Sequence, residues 1–165
     1  MLRSFGRFIQ VTRFLPKINM DISYVCIPFI AWVSSGCVKF LINSIRFGNK
    51  SFELIGYGGF PSTHTSIITS VSFLILFKES FESPVFGLAI TCALIFIMDA
   101  ISLRKRIGQH AKALNVVNEK LGMNEESLRE RMGHTFYEVL GGAVVGLSAA
   151  YLVFMNAKWF HITNI

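Results

Sequence analysis

Cysteine and charge are both scarce in this sequence. The three cysteines, Cys26, Cys37 and Cys92, are odd in number, lie in apolar stretches and lack the paired spacing of metal ligands, so they predict neither a disulfide framework nor a zinc site. Asp, Glu, Lys and Arg make up only 16% of the 165 residues, below the roughly 25% of soluble domains. No internal repeat or low-complexity segment occurs. These absences exclude an ordinary water-soluble domain, a disulfide scaffold and a repeat array.

Apolar residues dominate instead. They form 52% of the chain, the mean hydropathy is +0.51, and 16 residues are phenylalanine. A helix needs about 20 mostly apolar residues to cross a bilayer. The runs that approach or meet this length cover residues 22–45, 61–77, 85–103 and 134–155. We therefore predict an all-α integral membrane bundle of about four spans, with residues 1–165 forming a single membrane domain.

Two polar segments accompany these runs. Residues 1–20 mix basic and apolar side chains and predict a basic amphipathic helix on the membrane surface, with a disordered basic tail as the alternative. A cleaved signal peptide is disfavoured, because Pro16-Lys17 interrupts the apolar stretch and no small-residue cleavage site follows. Residues 104–133 are predicted to be a polar helical loop. The net charge of +6 suits anionic lipids, and without a basic-aromatic stripe we expect no nucleic acid partner.

The most informative motif is Pro61-Ser62-Thr63-His64, which follows Gly58-Gly59 at the start of the second apolar run. Proline is favoured in the first turn of a helix. The amides just after it have no partner within the helix and face the positive end of the dipole, which suits a phosphate. A hydroxyl and an imidazole at this place add a donor and a proton carrier. The motif predicts chemistry on a phosphate at the membrane boundary.

Alternation of the spans gathers the polar residues at one end of the bundle. We call the side that holds the N-terminus face A and the opposite side face B. Loop 46–60 and segment 104–133 then lie on face B, and turn 78–84 lies on face A. The polar groups expected at the face B ends of their spans are Lys39, Pro61–His64, Asp99, Arg104 and His134. The pattern predicts a site there and leaves open which face is cytoplasmic.

Charged residues inside spans cost roughly 2.5–3.5 kcal/mol each near the helix centre. Lys39, Asp99 and Glu138 therefore suggest a phosphate pocket supported by ion pairs. The alternative for Lys39 is that its ammonium reaches the headgroups from near a helix end. Arg104 and the two basic residues after it can bind phosphate, or they can anchor the span in the way a positive-inside cluster does. The sequence alone leaves both pairs of alternatives open.

His134 and Glu138 are four residues apart and share one face if they lie on a helix. A carboxylate on one ring nitrogen fixes the tautomer and makes the other nitrogen a better nucleophile or base. The alternative is a structural pair at the start of a helix. The glycines Gly133, Gly141, Gly142 and Gly146 that accompany this pair predict close helix packing rather than chemistry.

Three runs together resemble the divergent branch of the type 2 phosphatidic acid phosphatase superfamily, whose members include membrane lipid phosphate phosphatases and relatives of vanadium-dependent haloperoxidases. The runs are Gly58–His64, the block of Asp99-Ala100, Arg104, Gly108, Ala111 and Asn115, and Gly133–Val139. They occur in order, and the likeness covers most of residues 36–150. The resemblance implies a multi-pass protein of the bacterial cytoplasmic membrane that acts on a lipid phosphate.

The resemblance also implies roles for the first two motifs. Lys39 and Arg46 have the spacing of the lysine and arginine that hold the phosphate, although Phe47 stands where the superfamily has proline. Ser62 and Thr63 correspond to the phosphate-binding turn, with Thr63 in place of glycine. His64 corresponds to the histidine that protonates the leaving group.

In the third motif, the resemblance implies that His134 attacks phosphorus and that Glu138 orients it. The superfamily places an arginine six residues before this histidine, and here Leu128 stands in that position. The resemblance implies that Arg104 supplies the missing charge, with Asp99 as a supporting residue. No metal and no other cofactor is expected.

The function predicted from these residues is hydrolysis of a phosphomonoester or diphosphate on a membrane lipid, through a phosphohistidine. Polyprenyl phosphates, phosphorylated polyprenyl sugars, phosphatidylglycerophosphate and phosphatidate all remain open as substrates. The alternative is a protein without catalysis that binds, transports or scaffolds a lipid phosphate through the same basic pocket. Vanadate-dependent halide oxidation is disfavoured, since those relatives are generally soluble and much longer. Four spans make a thin wall around such a pocket, which is compatible with a homodimer.

Overall fold

The computed structural model describes residues 20–47, 59–156 and 161–162. The helices are α1 (Ser23–Phe47), α2 (Thr63–Lys78), α3 (Pro84–Met98), α4 (Arg104–Lys120) and α5 (Phe136–Met155), and a π-helical segment (Asp99–Leu103) joins α3 to α4. This confirms the predicted all-α class. Apart from Met20, the amphipathic helix predicted over 1–20 lies outside the described residues.

Three of the helical stretches are long and apolar enough to cross a membrane. They are Ser23–Arg46, Pro84–Lys120 and Phe136–Met155, and α2 is a shorter apolar helix of 16 residues. The chain is therefore a multi-pass membrane protein with four membrane helices, as predicted. The stretch Pro84–Lys120 is a continuous helix of 37 residues, since the π-helical segment carries α3 directly into α4.

A pair of two-residue strands, β1 (Met20–Asp21) and β2 (His161–Ile162), joins the two ends of the described chain on face A. The strands are antiparallel, with Met20 opposite Ile162. Lys78 at the end of α2 donates to Asp21 at 2.5 Å and to Ser23 at 2.6 Å. These contacts close the bundle on the side away from the polar residues of face B.

Helix α2 lies at the centre of the bundle. It packs against α1, α3 and α5, and α1 also packs against α5, whereas α1 and α3 share no extended contact. The main core consists of apolar residues from α1, α2 and α5, namely Ile27, Ala31, Leu74, Ala149, Ala150 and Val153. Because α2 is central, its N-terminus, which carries the Pro61–His64 motif, lies close to neighbouring elements of the bundle.

The glycines of α5 allow this helix to approach α2 at backbone distance. A Cβ atom on Gly142 would lie 2.4 Å from the carbonyl oxygen of Ser62, and one on Gly146 would lie 2.6 Å from that of Ser66. Small residues permit such contact between helices in lipid, where a hydrophobic driving force between helices is missing. These two glycines thus have the packing role predicted from their spacing.

The helix predicted over 104–133 is shorter than expected, because α4 ends at Lys120. Gly122 adopts a positive φ of 65°. Its amide donates to the Glu119 carbonyl, and the Met123 amide donates to the Asn118 carbonyl. This is the Schellman pattern, in which a glycine beyond the last turn ends a helix. Residues 123–135 then return to α5 without forming a helix.

Candidate active site

The Pro61–His64 turn forms the N-terminus of α2. Ser62 is buried, and its hydroxyl accepts hydrogen bonds from the Thr65 amide at 3.4 Å and from the Thr65 hydroxyl at 2.9 Å. Its amide donates to the Glu138 carbonyl at 2.8 Å. Ser62 therefore caps α2 and joins it to α5. The amides of Thr63 and His64 have no hydrogen-bond partner among the described residues, so they are the donors at this turn that can face an anion.

Lys39 reaches the same turn from α1. Its Nζ donates to Thr63 Oγ1 at 3.4 Å. The buried hydroxyl of Ser35, one turn earlier on α1, also donates to Thr63 Oγ1, at 3.2 Å. Lys39 thus points at the motif rather than away from it. Ser35 was not anticipated from the sequence, although its spacing of four residues from Lys39 places both on one helix face.

Arg104 and Asp99 are joined across the π-helical segment. Arg104 Nε donates to Asp99 Oδ2 at 2.7 Å. Five residues complete roughly one turn of a π-helix, whereas in an α-helix they would point in different directions. The Arg104 amide indeed donates to the Asp99 carbonyl. Asp99 engages Nε, and among the described residues no contact involves the two terminal nitrogens of the guanidinium, so both can bind another anion.

His134 lies just before α5, and Glu138 lies in its first turn. His134 Nδ1 is 3.4 Å from Glu138 Oε2, and the His134 side chain is 9% exposed. At this separation the two groups attract each other electrostatically, and Nδ1 forms no hydrogen bond within the described part of the chain. Glu138 Oε2 instead accepts from the Thr135 amide at 2.7 Å, completing a capping box. Glu138 therefore stabilises the helix start and faces His134 at the same time.

The two histidines of the motifs face each other. The ring centroids of His64 and His134 are 6.4 Å apart, and the rings are tilted by 54°. Burial lowers the pKa of His134, Glu138 acts in the opposite direction, and the charges of Lys39 and Arg104 lower it further. His134 thus favours the neutral form, in which one ring nitrogen carries a free electron pair.

The segment that carries His134 is held against the π-helical segment. The His134 amide donates to the Ala100 carbonyl at 2.9 Å. Gly133 has a φ of 84°, and a Cβ atom there would lie 2.9 Å from the Lys105 amide nitrogen. Only glycine combines this conformation with so close an approach. Gly133 therefore has a positional role beside the histidine, in addition to the packing role predicted for it.

Asn115 on α4 holds residues 123–135, which we call the returning segment, against α4. Its side-chain amide donates to the Leu128 carbonyl at 2.9 Å and to Glu130 at 2.9 Å, and its side-chain oxygen accepts from the Leu128 amide at 2.8 Å. Gly108, two turns earlier, makes room for the Glu130 carbonyl. The sequence signal for this contact is the spacing of Gly108, Ala111 and Asn115, which places them on one helix face.

Arg46 is not brought into this group. It lies exposed in the last turn of α1, and within the described ranges no hydrogen bond or ion pair joins it to the other predicted site residues. The structure therefore brings together Lys39, Thr63, His64, Arg104, Asp99, His134 and Glu138, with Ser62 as the cap beneath them.

The profile of the Divergent PAP2 family matches residues 20–149, a stretch that contains every one of these side chains. The chain belongs to the Divergent PAP2 family. The uncharacterized membrane protein YuiD of Bacillus subtilis (strain 168) is 27% identical over 105 residues, in a match that covers 54% of this chain and 66% of that protein. The match thus spans just under two thirds of the relative's length. No solved structure matches the chain.

In this member of the Divergent PAP2 family, the position six residues before His134 lies away from the site. Leu128 is 43% exposed, and Asn115 holds its backbone on the outer side of α4. The cations whose charge acts on His134 are Lys39 and Arg104. Arg104 therefore lies close enough to His134 for its charge to act on that residue, whereas Leu128 lies away from the site.

Proposed function

We propose that this protein hydrolyses a phosphomonoester or diphosphate on a membrane lipid through a phosphohistidine on His134. The observation that carries the proposal is the meeting of two histidines, 6.4 Å apart between ring centroids, with the charges of Lys39 and Arg104 at one end of a membrane bundle. A phosphoryl group between the rings would contact an imidazole on either side. Membership of the Divergent PAP2 family supports the reaction class.

The proposed reaction has two steps. Glu138 faces Nδ1 of His134 and favours a proton there, which leaves the Nε2 electron pair to attack phosphorus. As the P–N bond forms, the P–O bond to the lipid breaks, and His64 gives a proton to the departing oxygen. Water then attacks phosphorus, the P–N bond breaks, and His64 takes back a proton. Lys39, Arg104 and the free amides of Thr63 and His64 stabilise the charge on the phosphoryl oxygens.

The packing of the bundle supports a lipid as the carrier of the phosphate. Val71 packs against the core that contains α1 residues and against the small cluster of Ile75, Phe86 and Ala89, which involves α3. It therefore bridges a cluster of α1, α2 and α5 residues and a cluster of α2 and α3 residues. His64 lies two turns before Val71, on the same face of α2, and is exposed. Since α1 and α3 share no extended contact, a lipid tail can approach His64 from the side of the bundle.

The experiment that tests the proposal measures phosphate release by the detergent-purified full chain. The panel contains a polyprenyl phosphate, a phosphorylated polyprenyl sugar, phosphatidylglycerophosphate and phosphatidate, each with EDTA present. Release from one of them supports the phosphatase and names its substrate class. Binding of one of them without release from any would contradict it.

A second function has a specific observation in its favour. Glu138 is already engaged in a capping box, and the superfamily's third-motif arginine is replaced by Leu128. Both features suit a protein that binds or transports a lipid phosphate without turnover. In that case the affinity depends on Lys39 and Arg104, and His134 can be replaced without consequence.

Arg104 and Arg106 provide a matched test of phosphate binding. We expect Arg104→Gln to weaken lipid-phosphate binding by about 10- to 100-fold, because charge-assisted hydrogen bonds contribute roughly 1.5–3 kcal/mol each. Arg106 is exposed and has no ion pair within the described part of the chain. Arg106→Gln is therefore expected to leave the affinity unchanged. Equal losses in the two variants, measured with vesicles that contain the phosphate lipid, would indicate a general electrostatic anchor.

The pH dependence of turnover follows from the environment of His134. Because burial lowers the pKa of His134, its neutral form persists below the ordinary value of 6.5, and we expect the acid limb of kcat/KM to have its midpoint below that value. Glu138 opposes this shift. Glu138→Gln keeps an acceptor for the capping box and removes the charge, so it should move the midpoint to still lower pH. A midpoint that rises in Glu138→Gln would contradict the assignment.

A further inference from the structure

An exposed stripe with the spacing of a coiled coil runs along α4 and includes the residue on either side of it. Its members follow one another at intervals of four, three, four, three and four residues, and they are Leu103, Ile107, His110, Leu114, Val117 and Leu121. We call this stripe the α4 seam. Its five apolar side chains are between 44% and 69% exposed. Alternating steps of three and four are the a and d positions of a heptad repeat.

The rest of the chain covers a different face of α4. Gly108 and Ala111 are buried, and Asn115 is bonded to Leu128, so the returning segment 123–135 lies along that side. At 100° per residue the seam is rotated from this face by roughly 120°. The seam is therefore left without a partner by the described residues.

Lipid does not cover the outer half of the seam. A helix that enters the hydrocarbon at Pro84 crosses about 30 Å in roughly 20 residues and passes the headgroups in about 5 more. The continuous helix reaches Lys120. Leu114, Val117 and Leu121 thus stand in water, where an apolar stripe without a cover is unfavourable.

A second copy of this chain fits the seam. Two copies in one membrane have the same orientation, so their α4 helices meet in parallel. In that arrangement the flanking positions pair Arg106 with Ala111 and Ala113 with Asn118 of the other helix, and no like charges oppose each other. The seam is short for an isolated coiled coil, but two chains confined to a bilayer lose less freedom when they associate.

We propose that the protein forms a homodimer in which the α4 seam pairs with the α4 seam of the second copy as a parallel two-stranded coiled coil. His110 lies at a d position within it, and the in-register pairing places the two imidazoles together rather than against an apolar side chain, where a polar group would be costly. Of the active-site residues only Arg104 flanks the seam, and the cross-linking readout below requires no turnover, so dimer formation is tested independently of the reaction proposed for His134.

Cysteine cross-linking of adjacent valines tests this pairing. Val117 is in the seam and Val116 is not, yet they are similarly exposed, at 47% and 43%. In a background where Cys26, Cys37 and Cys92 are replaced by serine, Val117→Cys and Val116→Cys are expressed as full chains and oxidised in native membranes with copper phenanthroline. We expect a covalent dimer for Val117→Cys, and at most a tenth as much for Val116→Cys.

A second variant checks that the seam drives the contact. Leu114→Lys, added to Val117→Cys, should reduce the covalent dimer at least fivefold while the protein remains in the membrane. Equal cross-linking of the two cysteine variants would overturn the proposal, because it would reflect random collision. Absence of self-cross-linking at Val117 would also overturn it and would leave the seam to a different protein or to lipid.

Discussion

Replacing His134 by alanine is expected to abolish phosphate release from the lipid substrate, with a loss of at least about 10⁴-fold in kcat. The reason is that the proposed P–N bond has no other nitrogen to form on at this place, since His64 is assigned to the leaving group. Binding of the lipid phosphate should change little, because Lys39, Arg104 and the free amides at the start of α2 remain. The measurement pairs single-turnover release with vesicle binding by the same preparation.

This variant separates the two candidate functions when it is compared with Arg104→Gln. A phosphatase predicts that His134→Ala loses turnover and keeps affinity, whereas Arg104→Gln loses both. A lipid-phosphate carrier predicts no turnover in any form and an affinity that depends on Lys39 and Arg104 alone. Turnover that survives in His134→Ala would refute the proposed nucleophile.

Gly146→Val is expected to lower the free energy of unfolding by about 3 kcal/mol, through overpacking of the contact between α2 and α5. A Cβ atom at Gly146 would lie 2.1 Å from Thr69 Oγ1 and 2.6 Å from the Ser66 carbonyl. Relief of the contact with the Ser66 carbonyl requires the backbone of α2 to move, because a carbonyl oxygen has no rotamer to change.

Gly36→Val is the matched control for this substitution. Gly36 lies in α1, also inside a membrane helix, and a Cβ atom there would meet nothing within 4 Å. We expect its effect to stay within about 0.5 kcal/mol. Unfolding by increasing SDS in mixed micelles measures both variants. Equal destabilisation would mean that valine itself, rather than the close approach to α2, is the cause.

The fold follows from the sequence because hydropathy fixes which residues cross the membrane. Once four spans are assigned, alternation places Lys39, the Pro61–His64 turn, Asp99 and His134 at the same end. The glycine spacing in the last run likewise indicated a close helix contact, and the structure contains it at Gly142 and Gly146. In both cases a single strong constraint, the exclusion of polar groups from lipid or of side chains from a contact, determined the outcome.

The features of the fold and of the site that the sequence did not predict depend on specific contacts rather than on hydropathy. Hydropathy does not indicate that residues 123–135 leave the helix, since the Gly122 cap and the bonds to Asn115 decide it. Likewise, the π-helical turn that aligns Asp99 with Arg104 has no signature in the apolar pattern. The i,i+4 spacing of His134 and Glu138 predicted their proximity, but not that the capping box holds the carboxylate.

Trapping of the phosphorylated protein tests the central claim most directly. The full chain is mixed with the lipid of the panel that releases phosphate, labelled with ³²P, then quenched in alkali, where a phosphohistidine survives, and digested with trypsin. His64 and His134 fall in separate tryptic peptides, residues 51–78 and 132–158, each with a single histidine. We predict acid-labile label on 132–158 and none in His134→Ala. Steady phosphate release without labelled protein, or label on 51–78, would contradict the account.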